Sequence, residues 1–442
     1  MKIDELFEKL YPVMGNKLDV LWAEYWMEDW KGKKEIEDML NLLYAAKIKK
    51  NISSDYILLP PPDKEAVKGK FPLGTVSYNN KDLYKLNLKE KDFLYQINIV
   101  GSTGSGKTNA AYILALELLK NNTPFLAIDW KRGWRNLLSL KNPEVEQLQI
   151  FTIGRETLPF HWNPLKAPPN VSQDTWLQIV AETLEKSHIA GQGVADVFLR
   201  IYKKLFRESD KLPNFFDGKK ELDNIDARAR ALLWKQSAER VFNSLTYGSA
   251  KYFNSRTPMD LAFILERPTV FELDQELPKP MRVFFQEILL RWIHLYRLSQ
   301  GETDKLKHVL FLEEIHNLFP KTRIEREASN SLETIFREIR GLGEGIVSID
   351  QHSSLLPLFI LGNSHTQIVF GLQHSDDIYE SKKSLFLQEG QEHYLDKLEP
   401  GQSIVKIKNR INPCLVKLPL IPIKKGIITD ALLNQEIPKN AG

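Results

Sequence analysis

Gly101, Gly106, Lys107 and Thr108 have the types and the spacing of a phosphate-binding loop. Four residues separate Gly101 from the Gly-Lys-Thr triplet, an apolar run precedes the loop, and a helical pattern follows it. Glycines let backbone amides turn toward a phosphate, and the N-terminus of the following helix attracts the same anion. The alternative is a glycine-rich turn that binds no nucleotide.

The loop is expected to bind ATP or GTP, taken here as ATP, together with Mg²⁺. Lys107 is expected to reach the β and γ phosphates, and the Thr108 hydroxyl to ligate Mg²⁺. The residues predicted to bind the nucleotide are Gly101, Thr103, Gly104, Ser105, Gly106, Lys107 and Thr108.

A second chemical feature is the stretch HVLFLEEIHNLF, residues 308–319, in which an apolar run ends on two adjacent carboxylates. In P-loop enzymes a strand next to the P-loop strand presents acids to the nucleotide, because ligands bind at the carboxyl ends of parallel strands. Glu313 is expected to hold the Mg²⁺ shell, usually through water, and Glu314 to polarise the attacking water. The alternative is an acidic strand end that faces solvent. With a P-loop in the same chain, the adjacent acids favour hydrolysis over nucleotide binding alone.

The elements that must position these residues form an α/β pattern. From residue 93 onward, short apolar runs alternate with helical ones, which predicts a mostly parallel sheet covered on both faces. The predicted strands are residues 93–100, 124–130, 148–154, 269–274, 308–314, 345–351 and 366–372. Between about 165 and 262 strand-like runs are replaced by helical segments, which indicates a helical insertion.

The N-terminal region is predicted to be a separate helical unit. Trp22, Trp26 and Trp30 recur every four residues as one stripe, interpreted as the core of this unit, with a partner-docking face as the alternative. The prolines of LLPPPDKEAVKGK, residues 58–70, mark a boundary. The predicted division is a helical accessory domain at 1–70, an ATPase core at 71–164 and 263–425, the insertion at 165–262, and a C-terminal tail at 426–442.

Composition sets limits on location and partners. The 442 residues carry a net charge of +3, so a nucleic-acid site would be a local patch or a channel. The single cysteine, Cys414, excludes an intramolecular disulfide framework and fits a reducing cytoplasm. The N-terminus lacks the apolar core of a signal peptide, and no window reaches about 18 uninterrupted apolar residues. We expect a soluble, cytoplasmic protein with no membrane insertion.

Over residues 72–420 the sequence resembles the HerA/FtsK superfamily of P-loop motor ATPases, which includes the ATPases of type IV secretion and conjugation. EEIHNLF resembles the HerA-type version of the second acidic motif, which accounts for Glu313 where many P-loop proteins carry Asp. The other matching stretches are the lead-in to the P-loop, AIDWKRGW, FTIGRETLPFHWNPL and SIDQHSSLLPLFILGNSHTQIVF. The resemblance implies a RecA-like core.

The resemblance also implies two further catalytic residues beside Lys107 and Glu314. Gln351 stands at a strand end, where the family places a polar sensor of the γ-phosphate or the water; a solvent-facing strand end is the alternative. Arg340 closes a helix predicted over 324–340 and matches the position from which related motors project an arginine into a neighbouring subunit's ATP. The alternative for Arg340 is a solvated arginine paired with Glu333 or Glu344. Arg337 lies on the same helix face.

The function that this resemblance implies is a homo-hexameric, ATP-driven translocase or helicase on double-stranded DNA. A nuclease or other effector in DNA processing or phage defence is a possible partner. One alternative is a protein-moving or assembly ATPase of a secretion system, and another is a nucleotide-gated scaffold that regulates an effector. The helical N-terminus departs from the small β-barrel usual in HerA proteins, which leaves the pathway open.

The stretch DWKRGWRN, residues 129–136, mixes basic and aromatic residues at a strand end. It fits a DNA contact or a subunit interface, and it is not among the predicted site residues.

Overall fold

One sheet runs through the molecule. The computed structural model describes residues 3–47, 57–191, 193–273, 275–319 and 330–436, and within these ranges eleven strands join in the order β2-β1-β11-β10-β9-β3-β8-β7-β4-β6-β5. The strands are β1 Phe71–Tyr78, β2 Lys81–Leu88, β3 Ile97–Val100, β4 Phe125–Asp129, β5 Gln149–Ile153, β6 Thr269–Leu273, β7 Thr303–Glu313, β8 Leu342–Asp350, β9 Thr366–Phe370, β10 Gln402–Ile407 and β11 Ile411–Lys417.

The part of the sheet from β9 to β5 is parallel. Strands β3, β4, β6, β8 and β9 are buried along their whole length, as expected for parallel strands with helices on both faces. Every predicted strand overlaps an observed one, although β7 and β8 begin five and three residues before their predicted starts. The predicted fold class, an α/β RecA-like core with a mostly parallel sheet, is confirmed.

The prediction that the acid-bearing strand lies next to the P-loop strand is wrong. Strand β8 lies between them, with Ile349 paired to Ile99 of β3 on one side and to Glu313 of β7 on the other. Buried parallel strands all have the same kind of apolar sequence, so the sequence does not indicate which strands are neighbours in the sheet. The end of β8 therefore enters the site between the P-loop and the acids.

Four strands, β10, β11, β1 and β2, extend the sheet in antiparallel fashion. Strands β1 and β2 form a hairpin whose turn residues, Asn79 and Asn80, have φ of 48° and 57°. Asparagine tolerates this left-handed region, which is the backbone that a tight hairpin turn requires. Strands β1 and β2 were not predicted from the sequence, in which this lead-in to the P-loop was identified only as a motif.

Helices cover both faces of the sheet and fill the chain between β5 and β6. The helices are α1 Ile3–Met14, α2 Lys17–Met27, α3 Trp30–Lys47, α4 Glu90–Leu94, α5 Lys107–Lys120, α6 Pro143–Glu146, α7 Gln173–Ser187, α8 Gly193–Glu208, α9 Phe215–Asp223, α10 Arg230–Thr246, α11 Leu261–Ile264, α12 Lys279–Ser299, α13 Asn330–Glu338, α14 Leu358–Asn363, α15 Ser375–Leu385 and α16 Asp430–Glu436. Among the described residues, no helix has both the length and the apolar character that crossing a membrane requires.

The N-terminal helices α1 to α3 do not use the tryptophan stripe as their core. Their buried core is instead Leu6, Phe7, Leu10, Leu18 and Leu40. Trp26 and Trp30 are 62% and 77% exposed, and Trp22 is partly buried against Phe7. The core prediction failed because α2 ends at Met27 and α3 begins at Trp30, so the spacing does not continue along one helix.

The N-terminal helices contact the hairpin of the core. The buried Tyr78 of β1 donates a hydrogen bond from its hydroxyl to the backbone carbonyl of Lys9 at 2.8 Å. Burial is also the main cause that raises the pKa of this tyrosine well above its usual range. The neutral hydroxyl is thus a stable donor at the contact.

Candidate nucleotide-binding and hydrolysis site

The predicted P-loop connects β3 to α5 at the carboxyl edge of the parallel strands. Gly104 and Gly106 have φ of 82° and 123°, a region that favours glycine. A Cβ at Gly101 would lie 2.6 Å from Cβ of Phe370 and 2.7 Å from Oγ of Ser105. The loop therefore needs glycine both for its turns and for its close approach to the end of β9.

Lys107 lies inside this loop. Its ammonium donates to the backbone carbonyls of Gly101 at 2.6 Å and Ser102 at 2.9 Å. Burial, followed by the nearby charge of Lys131, lowers the pKa of Lys107 to about 8. The carboxylates of Glu314, Asp350 and Glu313 act in the opposite direction but do not outweigh burial, so an added anionic ligand would stabilise the charged form.

Thr108 is exposed at the start of α5, where a hydroxyl is accessible beside the loop. Among the described residues, no group of three or more carboxylate, imidazole or thiol side chains is arranged to hold a metal ion. Mg²⁺ commonly binds through one or two protein oxygens together with substrate phosphates and water. The exposed Thr108 hydroxyl fits that mode of binding.

The two adjacent acids occupy different surroundings. Glu313, the last residue of β7, is buried and accepts hydrogen bonds from the Trp134 indole at 3.1 Å and from the backbone N–H of Trp130 at 3.4 Å. Burial raises the pKa of Glu313. Glu314 has a left-handed backbone, with φ of 49°, which turns its side chain away from that of Glu313.

Glu314 lies in a hydrogen-bonded line that starts at the P-loop. The hydroxyl of Thr103 donates to Oε1 of Gln351 at 2.8 Å, and Nε2 of Gln351 donates to Oε1 of Glu314 at 2.7 Å. The ammonium of Lys131 lies 2.6 Å from the same oxygen. The structure thus brings together three residues predicted from separate motifs, and adds Lys131 to them.

Asp350 and His316 are two site neighbours that sequence reasoning missed. Asp350, the last residue of β8, accepts hydrogen bonds from the backbone N–H of His316 at 3.0 Å and from its Nδ1 at 2.8 Å. Burial acts to lower the pKa of His316, but the Asp350 carboxylate outweighs it and the net pKa is raised. The pair fixes the 3₁₀ turn Ile315–Leu318 that follows the acids. The signal was present as an acid directly before Gln351.

Asp129, at the end of β4, shapes the neighbouring turn. Its carboxylate accepts from the backbone N–H groups of Lys131 at 2.7 Å and Trp134 at 2.8 Å. The side chain is fully buried, and burial followed by the charge of Glu313 raises its pKa well above the usual range. Its signal in the sequence was an apolar run that ends on an acid.

Arg340 does not join this site within one chain. It precedes β8, whereas the P-loop follows β3, and because the two strands are parallel these points lie at opposite edges of the sheet. Its guanidinium lies 5.2 Å from the Tyr95 ring centre, in a pocket of about 520 Å³ that Arg337 and Lys408 also line. Arg337 and Arg340 are both exposed, as the helix pattern predicted.

The alternative pairing of Arg340 with Glu344 is excluded. Glu344 is buried and binds Arg297 and His308. The helix that carries Arg337 is α13, and a 3₁₀ turn, Ile339–Gly341, follows it with Arg340. Residues 324–329 of the predicted helix lie outside the described residues.

Part of the chain is similar to a known protein family. Residues 71–266 match the family model described as "Helicase HerA, central domain". The match includes the P-loop and the Asp129 turn, whereas the acidic strand β7 lies outside it. Residues 71–266 are thus similar to the HerA central domain, and the fold of the described residues is that of a RecA-like P-loop ATPase.

Solved structures share the fold of this chain. VirB4 of Thermoanaerobacter pseudethanolicus aligns with a TM-score of 0.61 and 14% identity, over 80% of this chain and 97% of VirB4. The bacterial conjugative coupling protein TrwB, lacking its first 70 residues, aligns with a TM-score of 0.57 and 14% identity, over 79% of this chain and 89% of TrwB. TrwB in complex with ADP and Mg²⁺ aligns with a TM-score of 0.56 and 14% identity, over 79% of this chain and 90% of that one. At this identity the likeness shows the fold alone. Among curated proteins, none matches the chain.

Proposed function

We propose that this chain hydrolyses ATP at the P-loop and uses the energy to move double-stranded DNA as a homo-hexameric ring. The observation that carries hydrolysis is the line from Thr103 through Gln351 to Glu314. It connects the phosphate-binding loop to a carboxylate placed to polarise a water, and mere nucleotide binding needs no such carboxylate.

Each site residue has a proposed task. Lys107 and the amides of the loop bind the phosphates, and Thr108 ligates Mg²⁺. When bound, Mg²⁺ would offset the negative charge of the phosphates. Glu313 contributes to the Mg²⁺ shell through water while its own hydrogen bonds with Trp130 and Trp134 hold it in place. Glu314 accepts a hydrogen bond from the attacking water, and Gln351 keeps Glu314 oriented toward the loop.

The position of Arg340 supports a site shared between subunits. Strand β8 has nine residues, so it separates Arg340 from its own P-loop by roughly 30 Å. Arg340 therefore has no access to the phosphates of its own chain. In a ring, it would lie in the neighbour's site and stabilise charge in the transition state.

The DNA substrate rests on the family match to the HerA central domain. A motor of this kind is proposed to work in DNA processing or phage defence with a nuclease or another effector. The N-terminal helices, which expose Trp26 and Trp30, are the part of the chain available for such a partner.

Two substitutions test the proposed hydrolysis by separating binding from chemistry. Lys107→Ala should abolish turnover because the phosphates lose their main cation. Glu314→Gln should keep ATP bound but slow hydrolysis by about a hundredfold or more, because the water is no longer polarised. Nucleotide affinity and steady-state ATPase rate are measured on the full chain.

Glu90→Gln is the matched control, since Glu90 is an exposed glutamate that pairs with Lys70 away from the loop. Its ATPase rate should equal that of the unmodified chain. Hydrolysis by Glu314→Gln at the parental rate would show that Glu314 is not the activating carboxylate.

A further inference from the structure

The turn after β4, residues 129–134, is held from two sides. Asp129 accepts from two backbone N–H groups of the turn, and Glu313 accepts from Trp130 and Trp134. Arg132 within the turn has a left-handed backbone, with φ of 56°. Two buried carboxylates thus fix the backbone that presents Lys131 at the edge of the nucleotide site.

Lys131 points into the site. Its ammonium lies 2.6 Å from Oε1 of Glu314, which also accepts from Gln351 at 2.7 Å. The charge of Lys131 is also felt at Lys107, where it is the largest cause after burial of the lowered pKa. Two lysines, one from the P-loop and one from the β4 turn, therefore converge beside the same carboxylate.

Convergence of two cations is unfavourable unless an anion lies near both of them. Glu314 carries one negative charge, whereas a triphosphate carries several and presents more acceptor oxygens to an ammonium. The Lys131 side chain is 57% exposed, whereas that of Glu314 is 15% exposed and also accepts a hydrogen bond from Gln351. Water can hydrate the Lys131 ammonium when it leaves Glu314, and Glu314 keeps its bond from Gln351, so Lys131 can exchange this partner for a more highly charged one.

We infer that Lys131 binds the γ-phosphate of bound ATP and releases Glu314 when it does so. Glu314 would then be free to polarise water only when a γ-phosphate is bound, because Lys131 leaves it for that phosphate. Without a γ-phosphate, as with ADP, Lys131 stays on Glu314. The inference rests on the proposed function, because it assigns Lys131 to the same ATP site. Phosphate is also the chemistry of a DNA backbone, so the test is carried out without DNA.

The test compares two nucleotides that differ at the γ-phosphate. Dissociation constants for ADP and for the non-hydrolysable analogue adenylyl imidodiphosphate are measured with Mg²⁺ by calorimetry on the full chain. Lys131→Met should raise the dissociation constant of the analogue by about tenfold, the effect of losing one charge-assisted hydrogen bond. The dissociation constant of ADP should stay within about twofold of its value for the unmodified chain. Lys131→Arg should retain most of the preference for the analogue, because it retains the charge.

Lys70→Met is the matched control. Lys70 is 51% exposed and pairs with Glu90 at 3.2 Å, so the change in charge and exposure is similar, but it lies away from the loop. Its ratio of the two dissociation constants should equal that of the unmodified chain.

If Lys131→Met leaves the ratio of the two dissociation constants unchanged, the inference is wrong. This holds even if both affinities fall, because a loosened turn would weaken the binding of both nucleotides alike. If the ratio is unchanged, a second measurement, the ATPase rate with duplex DNA, would assign Lys131 to the DNA backbone if Lys131→Met lowers the stimulation. Failure of the proposed function gives a different result, namely that the unmodified chain binds neither nucleotide or that Glu314→Gln hydrolyses ATP normally.

Discussion

Glu313 and Glu314 show how two neighbouring residues of one type acquire different tasks. Glu313 ends a strand and faces the turn after β4, where two tryptophans donate to it. Glu314 leaves the strand with a left-handed backbone and faces the P-loop side, where Gln351 and Lys131 hold one of its oxygens. The difference comes from backbone direction alone.

At the residue scale, Arg340 gives a sharp prediction. Arg340→Ala should lower the ATPase rate by about a thousandfold and leave ATP affinity nearly unchanged, because an arginine supplied to a neighbour acts mainly on the transition state. Rate and affinity are measured at protein concentrations where the ring is assembled. Arg256→Ala, an exposed arginine paired with Asp217 in the helical region, is the control and should keep the parental rate. Full activity of Arg340→Ala would remove it from the site and direct attention to Arg337.

At the element scale, the strands that frame the site are joined by a buried ionic cluster. His308 of β7 and Arg297 of α12 both bind Glu344 of β8, the Arg297 contact at 2.8 Å. All three side chains are buried. Burial acts to raise the pKa of Glu344, but His308 and Arg297 outweigh it and the net pKa is lowered. The cluster sets the register of the two strands that carry Glu313 and Gln351.

Glu344→Gln should lower the free energy of unfolding by about 3 kcal/mol at neutral pH, because it leaves Arg297 buried without its counter-charge. A lowered folded pKa gives stability that is complete above the unfolded value of about 4.3 and is lost as pH falls through the folded pKa. The difference between the two proteins should therefore narrow below about pH 4.3. Urea unfolding at several pH values measures this difference in the free energy of unfolding. Glu90→Gln, at an exposed residue, is the control and should change the free energy of unfolding by less than about 1 kcal/mol. A constant difference over this range would show that the ionised form of Glu344 is not what stabilises the fold.

Elements also show what the sequence could and could not predict. The P-loop and the acid pair were predicted because their meaning is local: glycines at a turn, and a buried run that ends on carboxylates. The order of the strands could not be predicted, because β7 and β8 both contain a buried apolar run and either could lie next to β3. The Lys131–Glu314 pair joins two distant segments, so no local pattern signals it. The prediction that the tryptophan stripe forms the core of the N-terminal unit was wrong because a local spacing was followed too far. The helix breaks between Met27 and Trp30, so the spacing does not continue along one helix.

At the scale of the whole molecule, the site and Arg340 lie at opposite edges of one sheet. This arrangement suits head-to-tail assembly, in which the Arg340 edge of one subunit meets the P-loop edge of the next and the contacts close into a ring. In such a ring, hydrolysis at one interface can move neighbouring subunits relative to each other. The proposed DNA translocation depends on that coupling.

ATP hydrolysis at Glu314 is proposed to be coupled to duplex DNA, and the ATPase rate with and without linear double-stranded DNA, over a range of salt concentrations, tests this coupling. We expect stimulation at low salt. The DNA concentration that gives half the maximal rate should rise linearly with the salt concentration on logarithmic axes, because each phosphate contact releases counterions. Glu314→Gln should remove the basal and the stimulated rates together. If saturating duplex DNA leaves the ATPase rate unchanged at low salt, the proposed coupling to DNA is wrong.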